Sequence, residues 1–304
     1  CYLTVSSEFL PSIRFYDRIS TTVLNSYVGP ILSRYLKSLI KKLKDFGFEG
    51  ILLIMQSNGG VVSPQMAIDR AAVTLLSGPA AGPVAGIEYI AVQDWNDCLT
   101  IDMGGTSFDV GLTMEKYIPT KWESSLGGFI LNIPMIALDS IGAGTGMYVR
   151  YNEISGRLEF GPESAGYKIG VCNEDSGIDT VTITDCSLIL GYLNPDYFLG
   201  GKIKLNKKRA YEFIEEQLAK PFKADPYEAA RGAIDLVEIH MRNHLNAMIQ
   251  GLGFRPENYT LISFGGGGPL HVAGYSRELN FENILIPEWA AAFSAFGCAC
   301  AEHS

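Results

Sequence analysis

Residues 99–112, LTIDMGGTSFDVGL, consist of two short apolar runs joined by a glycine-rich turn. Apolar and polar residues alternate along the first run and again along the second, which is the periodicity of β-strands. The stretch therefore predicts two strands joined by a tight turn at Gly104 and Gly105. Glycine at these positions lets the backbone adopt positive φ, so that main-chain N–H groups can converge on an anion.

The polar side chains at this turn have the chemistry of a phosphate site. Asp102 can hold Mg²⁺ directly or through water, and the hydroxyls of Thr106 and Ser107 can bind phosphate oxygens. Asp109 can be a second carboxylate beside the metal or the partner of a surface cation. An ordinary hairpin with a capping aspartate has the same residue pattern, because glycine turns are common. The hairpin alone leaves both interpretations open.

The composition narrows the class of protein. The 304 residues are 47% hydrophobic and 19% charged, which is typical of a soluble globular chain long enough for two domains. A net charge of −9 without a basic block argues against nucleic acid as the main partner. No run reaches the ~18 consecutive apolar residues that a membrane span requires.

The cysteines and the chain's first residues set further expectations. The six cysteines lack Cys-x-x-Cys spacing, so we expect neither a zinc ribbon nor a disulfide framework, and a reducing cytoplasm is the default location. They are Cys1, Cys98, Cys172, Cys186, Cys298 and Cys300. The opening CYLTVSSEFL is a strand-like run without a signal-peptide pattern, which suggests the middle of a longer protein.

Two segments before the hairpin have clear periodicity. Residues 20–46 predict one long helix with Ser20 as its N-cap and a broad buried stripe that includes Val23, Tyr27 and Ile31. Residues 50–55 predict a strand buried on both faces, which ends in the polar sequence QSNGG at 56–60. That ending can be a ligand-binding strand end or a simple turn.

Two further segments combine glycines with a helix start. Residues 74–87, TLLSGPAAGPVAGI, predict a helix of small residues capped by Ser77. Residues 261–273, LISFGGGGPLHVA, predict a strand, a glycine loop and a helix that begins at Pro269. Glycines without Cβ atoms allow a flat ring or a phosphate to lie against the backbone, and a helix N-terminus favours anions.

The histidines have weaker signals. His240 and His244 share one face of a helix predicted over residues 226–251, but the zinc-protease glutamate is missing between them and no third ligand stands out. A metal site there is therefore not the favoured interpretation. His271, just after the glycine loop, can contact a nucleotide or cap the helix.

Together these segments resemble the hydantoinase A / 5-oxoprolinase / acetone carboxylase family, which belongs to the actin-like ATPase superfamily. The resemblance covers nearly the whole chain, and the signatures stand in family order. They are MQSNGG (55–60), LLSGPAAGPVAG (75–86), DMGGTSFDVGL (102–112), DSIGAGTG (139–146), GPESAGYKIGVC (161–172), TDCSLILGYLNP (184–195) and FGGGGPLH (264–271). The resemblance implies an α/β protein with the actin-like ATPase, or ribonuclease H-like, fold.

The resemblance also implies site residues and cofactors. ATP and Mg²⁺ are the implied cofactors, with Asp102 as the metal ligand and a catalytic residue. The second phosphate loop corresponds to Asp102, Gly104, Gly105, Thr106 and Ser107, and the adenosine loop to Gly265, Gly266, Gly267 and Gly268. Asp139, which precedes the glycine-rich loop 142–146, is a second catalytic candidate that can orient the attacking group or the metal. A helix cap or turn aspartate is the alternative for Asp139.

The implied domain organisation is incomplete. Family members begin with a first phosphate loop, another Asp-x-Gly-Gly-Thr hairpin, and no such motif precedes Asp102. We therefore expect residues 1–95 to be the remainder of the first actin-like domain, without the N-terminal strands that carry that loop. Residues 96–304 are expected to form the second actin-like domain, with an insertion at about residues 147–225.

Within the family, residues 161–201 are similar to the ketone carboxylase branch, which includes the acetone and acetophenone carboxylases. The resemblance implies an ATP-binding and hydrolysing subunit or fragment that activates a small-molecule ketone or bicarbonate by phosphorylation, together with other subunits of a complex. Two alternatives stay open: an ATP-dependent hydantoinase or 5-oxoprolinase that hydrolyses a cyclic amide, and a non-catalytic structural subunit.

Overall fold

The computed structural model describes residues 2–93, 95 and 97–302, so Cys1 lies outside the described residues. The chain divides into two compact units. Unit 1 comprises Cys1–Leu99, Gly111–Leu138 and Ala292–Ser304, and unit 2 comprises Thr100–Val110 and Asp139–Ala291. The domain boundary at residues 95/96, of which residue 96 is not described, and the insertion at 147–225 stay predictions.

The elements are those of a mixed α/β protein, as the sequence predicts. The helices are α1 (Ser6–Phe9), α2 (Phe15–Asp45), α3 (Pro64–Asp69), α4 (Ser77–Val92), α5 (Ile183–Ile189), α6 (Lys207–Ile214), α7 (Lys220–Phe222), α8 (Pro226–Leu252), α9 (Gly268–Tyr275) and α10 (Phe293–Cys300). The strands are β1 (Ile54–Met55), β2 (Val61–Val62), β3 (Asp97–Met103), β4 (Phe108–Leu112), β5 (Thr120–Lys121), β6 (Ser124–Leu126), β7 (Phe129–Leu131), β8 (Met135–Ile136), β9 (Leu138–Ile141), β10 (Met147–Asn152), β11 (Arg157–Ser164), β12 (Tyr259–Phe264) and β13 (Asn283–Leu285).

A five-stranded sheet with the order β13-β12-β3-β4-β9 forms the centre of the site described below. Strand β12 pairs with β13 in parallel and is buried along its whole length. Strand β3 is also buried on both faces, because Leu99 and Ile101 are covered on one face and Thr100 on the other. The hairpin prediction is confirmed, since β3 and β4 are neighbours joined by the turn that contains Gly104 and Gly105. Neither glycine has the positive φ that the sequence suggests.

Unit 2 also contains a second hairpin and the long helix that the sequence predicts. Strands β10 and β11 pair antiparallel around a turn that contains Gly156, which is in the left-handed region at φ +64°. Helix α8 begins after Asp225, whose side chain accepts a hydrogen bond from the N–H of Tyr227. The long helix predicted over residues 226–251 therefore forms within one residue of its expected end.

Helix α2 of unit 1 differs from the prediction at its start and in its buried face. It begins at Phe15 after the N-cap Arg14, and Ser20 is a buried residue within the helix rather than its N-cap. The stripe expected to be buried is buried only in part. Val23, Tyr27 and Ile31 are 57%, 74% and 55% exposed, whereas Leu36 of the same stripe is buried and Leu32 packs beside it.

The face of α2 that packs includes Leu36 and also carries a buried, hydrogen-bonded amide, that of Asn25. Asn25 Oδ1 accepts from the N–H of Ala72, and Asn25 Nδ2 donates to Thr4 Oγ1. An unpaired buried amide is costly, so these bonds select the face of α2 that packs.

The strand predicted over residues 50–55 is also shorter than expected. Only Ile54 and Met55 form β1, which pairs with the two residues of β2. Ile51 is 86% exposed, so the prediction of a strand buried on both faces is wrong. Helix α4 begins at Ser77 as expected, although its N-cap is Leu76 in the left-handed conformation rather than Ser77.

Among the described residues, no helix is both long and apolar enough to cross a membrane.

We predict that Gly297→Ala weakens unit 1, in which α10 packs on α4. A Cβ at Gly297 would overlap the carbonyl oxygen of the buried Ala81, and a backbone atom cannot rotate away. The expected loss is about 2 kcal/mol in the free energy of unfolding, measured by chemical denaturation. Gly78→Ala in α4 is the control, since no described atom lies within 4 Å of its Cβ position. Equal stability of the two variants would contradict the packing described here.

Candidate functional site

The turn between β3 and β4 presents two backbone N–H groups that make no hydrogen bond to any described residue. The N–H of Gly104 donates to Ser107 O at 3.1 Å, which closes the turn. Within the part of the chain that the structure describes, the N–H groups of Gly105 and Thr106 donate to no acceptor. Successive N–H groups of this kind at a turn form an anion-binding concavity.

The carbonyl groups of the same peptide planes are held from behind. The N–H of Thr145 donates to Gly104 O at 3.0 Å, and the N–H of Gly146 donates to Gly105 O at 2.9 Å. The Ser164 hydroxyl donates a second hydrogen bond to Gly105 O, also at 2.9 Å. Because a trans peptide is planar, fixing each carbonyl directs the N–H on its opposite edge away from these partners.

The loop 142–146 reaches the turn only because Gly144 has no side chain. A Cβ at Gly144 would overlap the backbone of Gly105 and Thr106. The sequence indicates this glycine-rich loop beside Asp139, but it does not predict the contact with the turn 104–107 or the hydrogen bond from Ser164. The signal was the alternation Gly142, Gly144, Gly146, which indicates a backbone that another backbone approaches closely.

The four-glycine loop lies beside the turn. The N–H of Gly267 donates to Met103 O at 2.9 Å, at the end of β3. Gly265 has φ +81°, and a Cβ there would overlap the Asp102 carboxylate. The structure therefore brings Asp102, the turn 104–107 and the loop 265–268 together within unit 2. At Gly104 and Gly266 no described atom lies within 4 Å of the Cβ position, so a ligand can approach the backbone at both places.

The two hydroxyl side chains at the turn, those of Thr106 and Ser107, differ in exposure and in hydrogen bonding. Thr106 is exposed, whereas the Ser107 hydroxyl donates to Asp109 Oδ2 at 2.7 Å. The Asp109 carboxylate is therefore bound to a hydroxyl group rather than to a surface cation. In the described ranges, no group of three His, Cys, Asp or Glu side chains could hold a metal ion by itself. Mg²⁺ commonly takes one or two carboxylates and completes its shell with water and phosphate oxygens, which suits Asp102 beside the turn.

Asp139 is placed on β9 and faces helix α8. Its Oδ2 lies 3.5 Å from His244 Nε2, and its Oδ1 accepts from the N–H of Ser140. Among the described residues these are its polar contacts, so the predicted role of Asp139 in catalysis stays a prediction. His240, one turn before His244 on α8, packs its ring edge-on against Phe160.

His271 lies in α9 and is fully buried. Its Nδ1 is 3.1 Å from Glu238 Oε1 on α8, and Glu238 is buried as well. A Cβ at Gly274 of α9 would overlap the Glu238 carboxylate, so the two helices approach closely here. His271 Nδ1 therefore joins α9 to α8, and His271 lies inside α9 rather than at its cap. Its Nε2 is buried and makes no hydrogen bond to the described residues, so contact with a nucleotide stays a prediction. The helix itself begins at Gly268, one residue before the predicted start at Pro269.

Three cysteines, Cys98, Cys172 and Cys186, are buried in the core. Burial raises the pKa of the Cys98 thiol to about 12. Burial also raises the pKa of Cys172 and of Cys186, and the neighbouring Asp185 carboxylate adds to both shifts. Because the thiolate is the reactive form, these three thiols are unreactive near neutral pH.

The sequence pattern of the hydantoinase/oxoprolinase family matches residues 18–304. The chain belongs to the hydantoinase/oxoprolinase family. The family resemblance inferred from the glycine motifs is thereby confirmed.

Individual family members are similar over almost the whole chain. It is 39% identical to the acetone carboxylase beta subunit of Xanthobacter autotrophicus, over 98% of this chain and 41% of that protein. It is 34% identical to the caprolactamase subunit alpha of Pseudomonas jessenii, over 95% of this chain and 42% of that protein. The nucleotide-free structure of acetone carboxylase superposes with a TM-score of 0.92 at 38% identity, over 97% of this chain and 41% of that one. The chain thus spans about two fifths of the length of these family members.

We predict that Glu238→Ala lowers the free energy of unfolding by about 3 kcal/mol, because it leaves the buried His271 without its partner. Asp235→Ala on the same helix is the matched control. Asp235 is half exposed and pairs with Arg231 at the surface, so its loss is expected to change stability by about 0.5 kcal/mol or less. Urea denaturation of both variants measures the difference, and a Glu238→Ala variant as stable as Asp235→Ala would show that the buried pair contributes nothing.

Proposed function

We propose that unit 2 has the actin-like ATPase fold and binds ATP. The turn 104–107 would hold phosphate oxygens through the N–H groups of Gly105 and Thr106, and Asp102 would hold Mg²⁺. The loop Gly265–Gly268 would lie along the adenosine. The observation that carries this proposal is the hydrogen bond from Gly267 N–H to Met103 O, which puts the two loops side by side.

The residues fit these groups. An anion needs donors that are not already used, and the turn supplies two backbone N–H groups and the exposed Thr106 hydroxyl. A nucleotide needs an uncovered backbone surface, and Gly104 and Gly266 supply it. The first phosphate loop of the superfamily would come from residues other than those of this chain.

Phosphoryl transfer depends on positioning and charge neutralisation, and it needs little covalent chemistry from the protein. ATP with Mg²⁺ would supply the phosphoryl group and the neutralising charge. The chain itself would contribute a turn that is already ordered. Thr145, Gly146 and Ser164 fix the carbonyl groups of the turn, so its N–H groups keep their direction when phosphate binds.

We propose further that the whole enzyme is an ATP-dependent ketone carboxylase that acts with other subunits. The 39% identity to the acetone carboxylase beta subunit over 98% of the chain supports this assignment. Hydrolysis of a cyclic amide is the second candidate, and the 34% identity to the caprolactamase subunit alpha favours it.

ADP release by the full-length protein with its partner subunits tests the two candidates in one assay. We expect release stimulated by acetone or acetophenone in the presence of bicarbonate, and not by ε-caprolactam, a hydantoin or 5-oxoproline. Stimulation only by a cyclic amide would replace the first candidate by the second. No ADP release with any of these compounds would favour a non-catalytic subunit.

We predict that Asp102→Asn lowers ATP turnover by about 100-fold or more, because the amide cannot neutralise Mg²⁺ at the phosphate turn. The amide keeps the shape of the carboxylate beside Gly265, so the circular dichroism spectrum should not change. Glu153→Gln, at the exposed turn between β10 and β11, is the control and should keep full turnover. Normal turnover in Asp102→Asn would remove the metal role assigned to Asp102.

A further inference from the structure

The proposed phosphate site has hydrogen-bond donors but no side chain with a positive charge. The turn 102–107, the loop 142–146 and the loop 265–268 contain neither lysine nor arginine. The turn carries the acidic side chains Asp102 and Asp109, and the phosphate groups of a nucleotide would add further negative charge, of which Mg²⁺ would offset only a part. Like charges repel one another at short distance, so a cation from another segment of the chain would complete the site.

The segment 164–168 lies directly against the turn. The Ser164 hydroxyl donates to Gly105 O at 2.9 Å and accepts a hydrogen bond from the N–H of Gly166 at 3.0 Å. The Gly166 carbonyl oxygen is 3.1 Å from the position of a Cβ at Gly105, and Thr106 Cγ2 is 3.9 Å from the position of a Cβ at Gly166. The exposed side chain of Thr106, whose hydroxyl is a proposed phosphate donor, therefore lies beside this segment.

Lys168 is the cation that this segment carries. Residues Gly166–Lys168 form a short 3₁₀ turn, which places Lys168 two residues after the glycine that lies beside Thr106. Lys168 is exposed, and its ammonium group makes no ion pair or hydrogen bond with any residue that the structure describes. A lysine ammonium is a compact charge with three donors on a flexible four-carbon stem. It is therefore available to an anion at the neighbouring turn.

The backbone directly after Lys168 is strained and anchored in the core. Ile169 has φ +80° and ψ −73°, a conformation that is rare and costly for a β-branched residue. Ile169 is buried, and the N–H groups of Val171 and Cys172 donate to the buried Asp185 carboxylate at 3.1 and 2.8 Å. These contacts hold the strained bend in place, so the chain enters the core after Lys168 and Lys168 stays at the surface. Strained residues of this kind cluster at ligand sites.

We infer that Lys168 binds the phosphate groups of the nucleotide at the turn 104–107. This inference rests on the proposed function. The Lys168 ammonium donates to a phosphate oxygen beside Thr106, and its charge offsets that of the Asp102 carboxylate. Hydrogen bonds between charged groups are stronger than those between neutral groups, so Lys168 adds affinity that the backbone N–H groups alone do not supply.

Calorimetric titration of the full-length protein with its partner subunits tests this inference. Two probes are used, each with Mg²⁺: a non-hydrolysable ATP analogue and inorganic tripolyphosphate. Lys168→Met keeps a side chain of similar shape without the charge, so it should raise the Kd of both probes about tenfold, the effect of losing one charge-assisted hydrogen bond. The Kd of the wild type should also rise more steeply with NaCl concentration than the Kd of this variant, because salt screens the attraction that the variant lacks.

Two further variants show whether the charge of Lys168 is responsible. Lys168→Arg keeps a positive charge and should weaken the binding of both probes less than Lys168→Met does. Lys202→Met removes another exposed lysine of unit 2 that has no partner among the described residues, and it should leave both Kd values unchanged. Circular dichroism verifies that each variant is folded, and Lys168→Gln serves as the neutral variant should Lys168→Met misfold.

The outcomes separate this inference from the proposed function. If Lys168→Met binds the ATP analogue as tightly as the wild type, or if Lys168→Arg loses as much affinity as Lys168→Met, the assignment of Lys168 is wrong and the nucleotide proposal stands. If the wild type binds tripolyphosphate through Lys168 but does not bind the ATP analogue, the nucleotide proposal fails and Lys168 remains an anion-binding residue of the turn. If the wild type binds neither probe, both are wrong.

Discussion

One backbone hydrogen bond, from Gly267 N–H to the carbonyl of Met103, aligns the two glycine loops of unit 2. This hydrogen bond can form because β3 and β12 are neighbours in the sheet and the residue after β12, Gly265, lies against Met103 at the end of β3. The approach requires glycine, since a side chain at Gly265 would occupy the space of the Asp102 carboxylate. The sheet order and the absence of a side chain at Gly265 together determine where the candidate site can be.

The turn 104–107 is also held by hydrogen bonds to its carbonyl groups. Thr145, Gly146 and Ser164 donate hydrogen bonds to the carbonyl oxygens of Gly104 and Gly105, and the N–H groups of the same peptide planes point away from these partners. The donors are thus oriented before any ligand arrives. Because the donors are ordered in advance, ligand binding carries a smaller entropic cost of ordering the site.

The sequence predicted the local elements around glycines well and the burial of long apolar segments poorly. The hairpin at Gly104, the loop at Gly265 and the helix after Asp225 follow from local chemistry, because turns and caps depend on a few adjacent residues. The face of α2 that packs depends on Asn25 and its distant partner Ala72, which periodicity does not reveal. Likewise, the contact between Gly144 and Gly105 joins residues far apart in the chain, and only the alternation of glycines hinted at it.

The use of main-chain donors at the turn has a consequence for divergence within the family. A hydrogen bond from a peptide N–H is the same whichever side chain the residue carries, so the proposed phosphate chemistry is insulated from most substitutions around it.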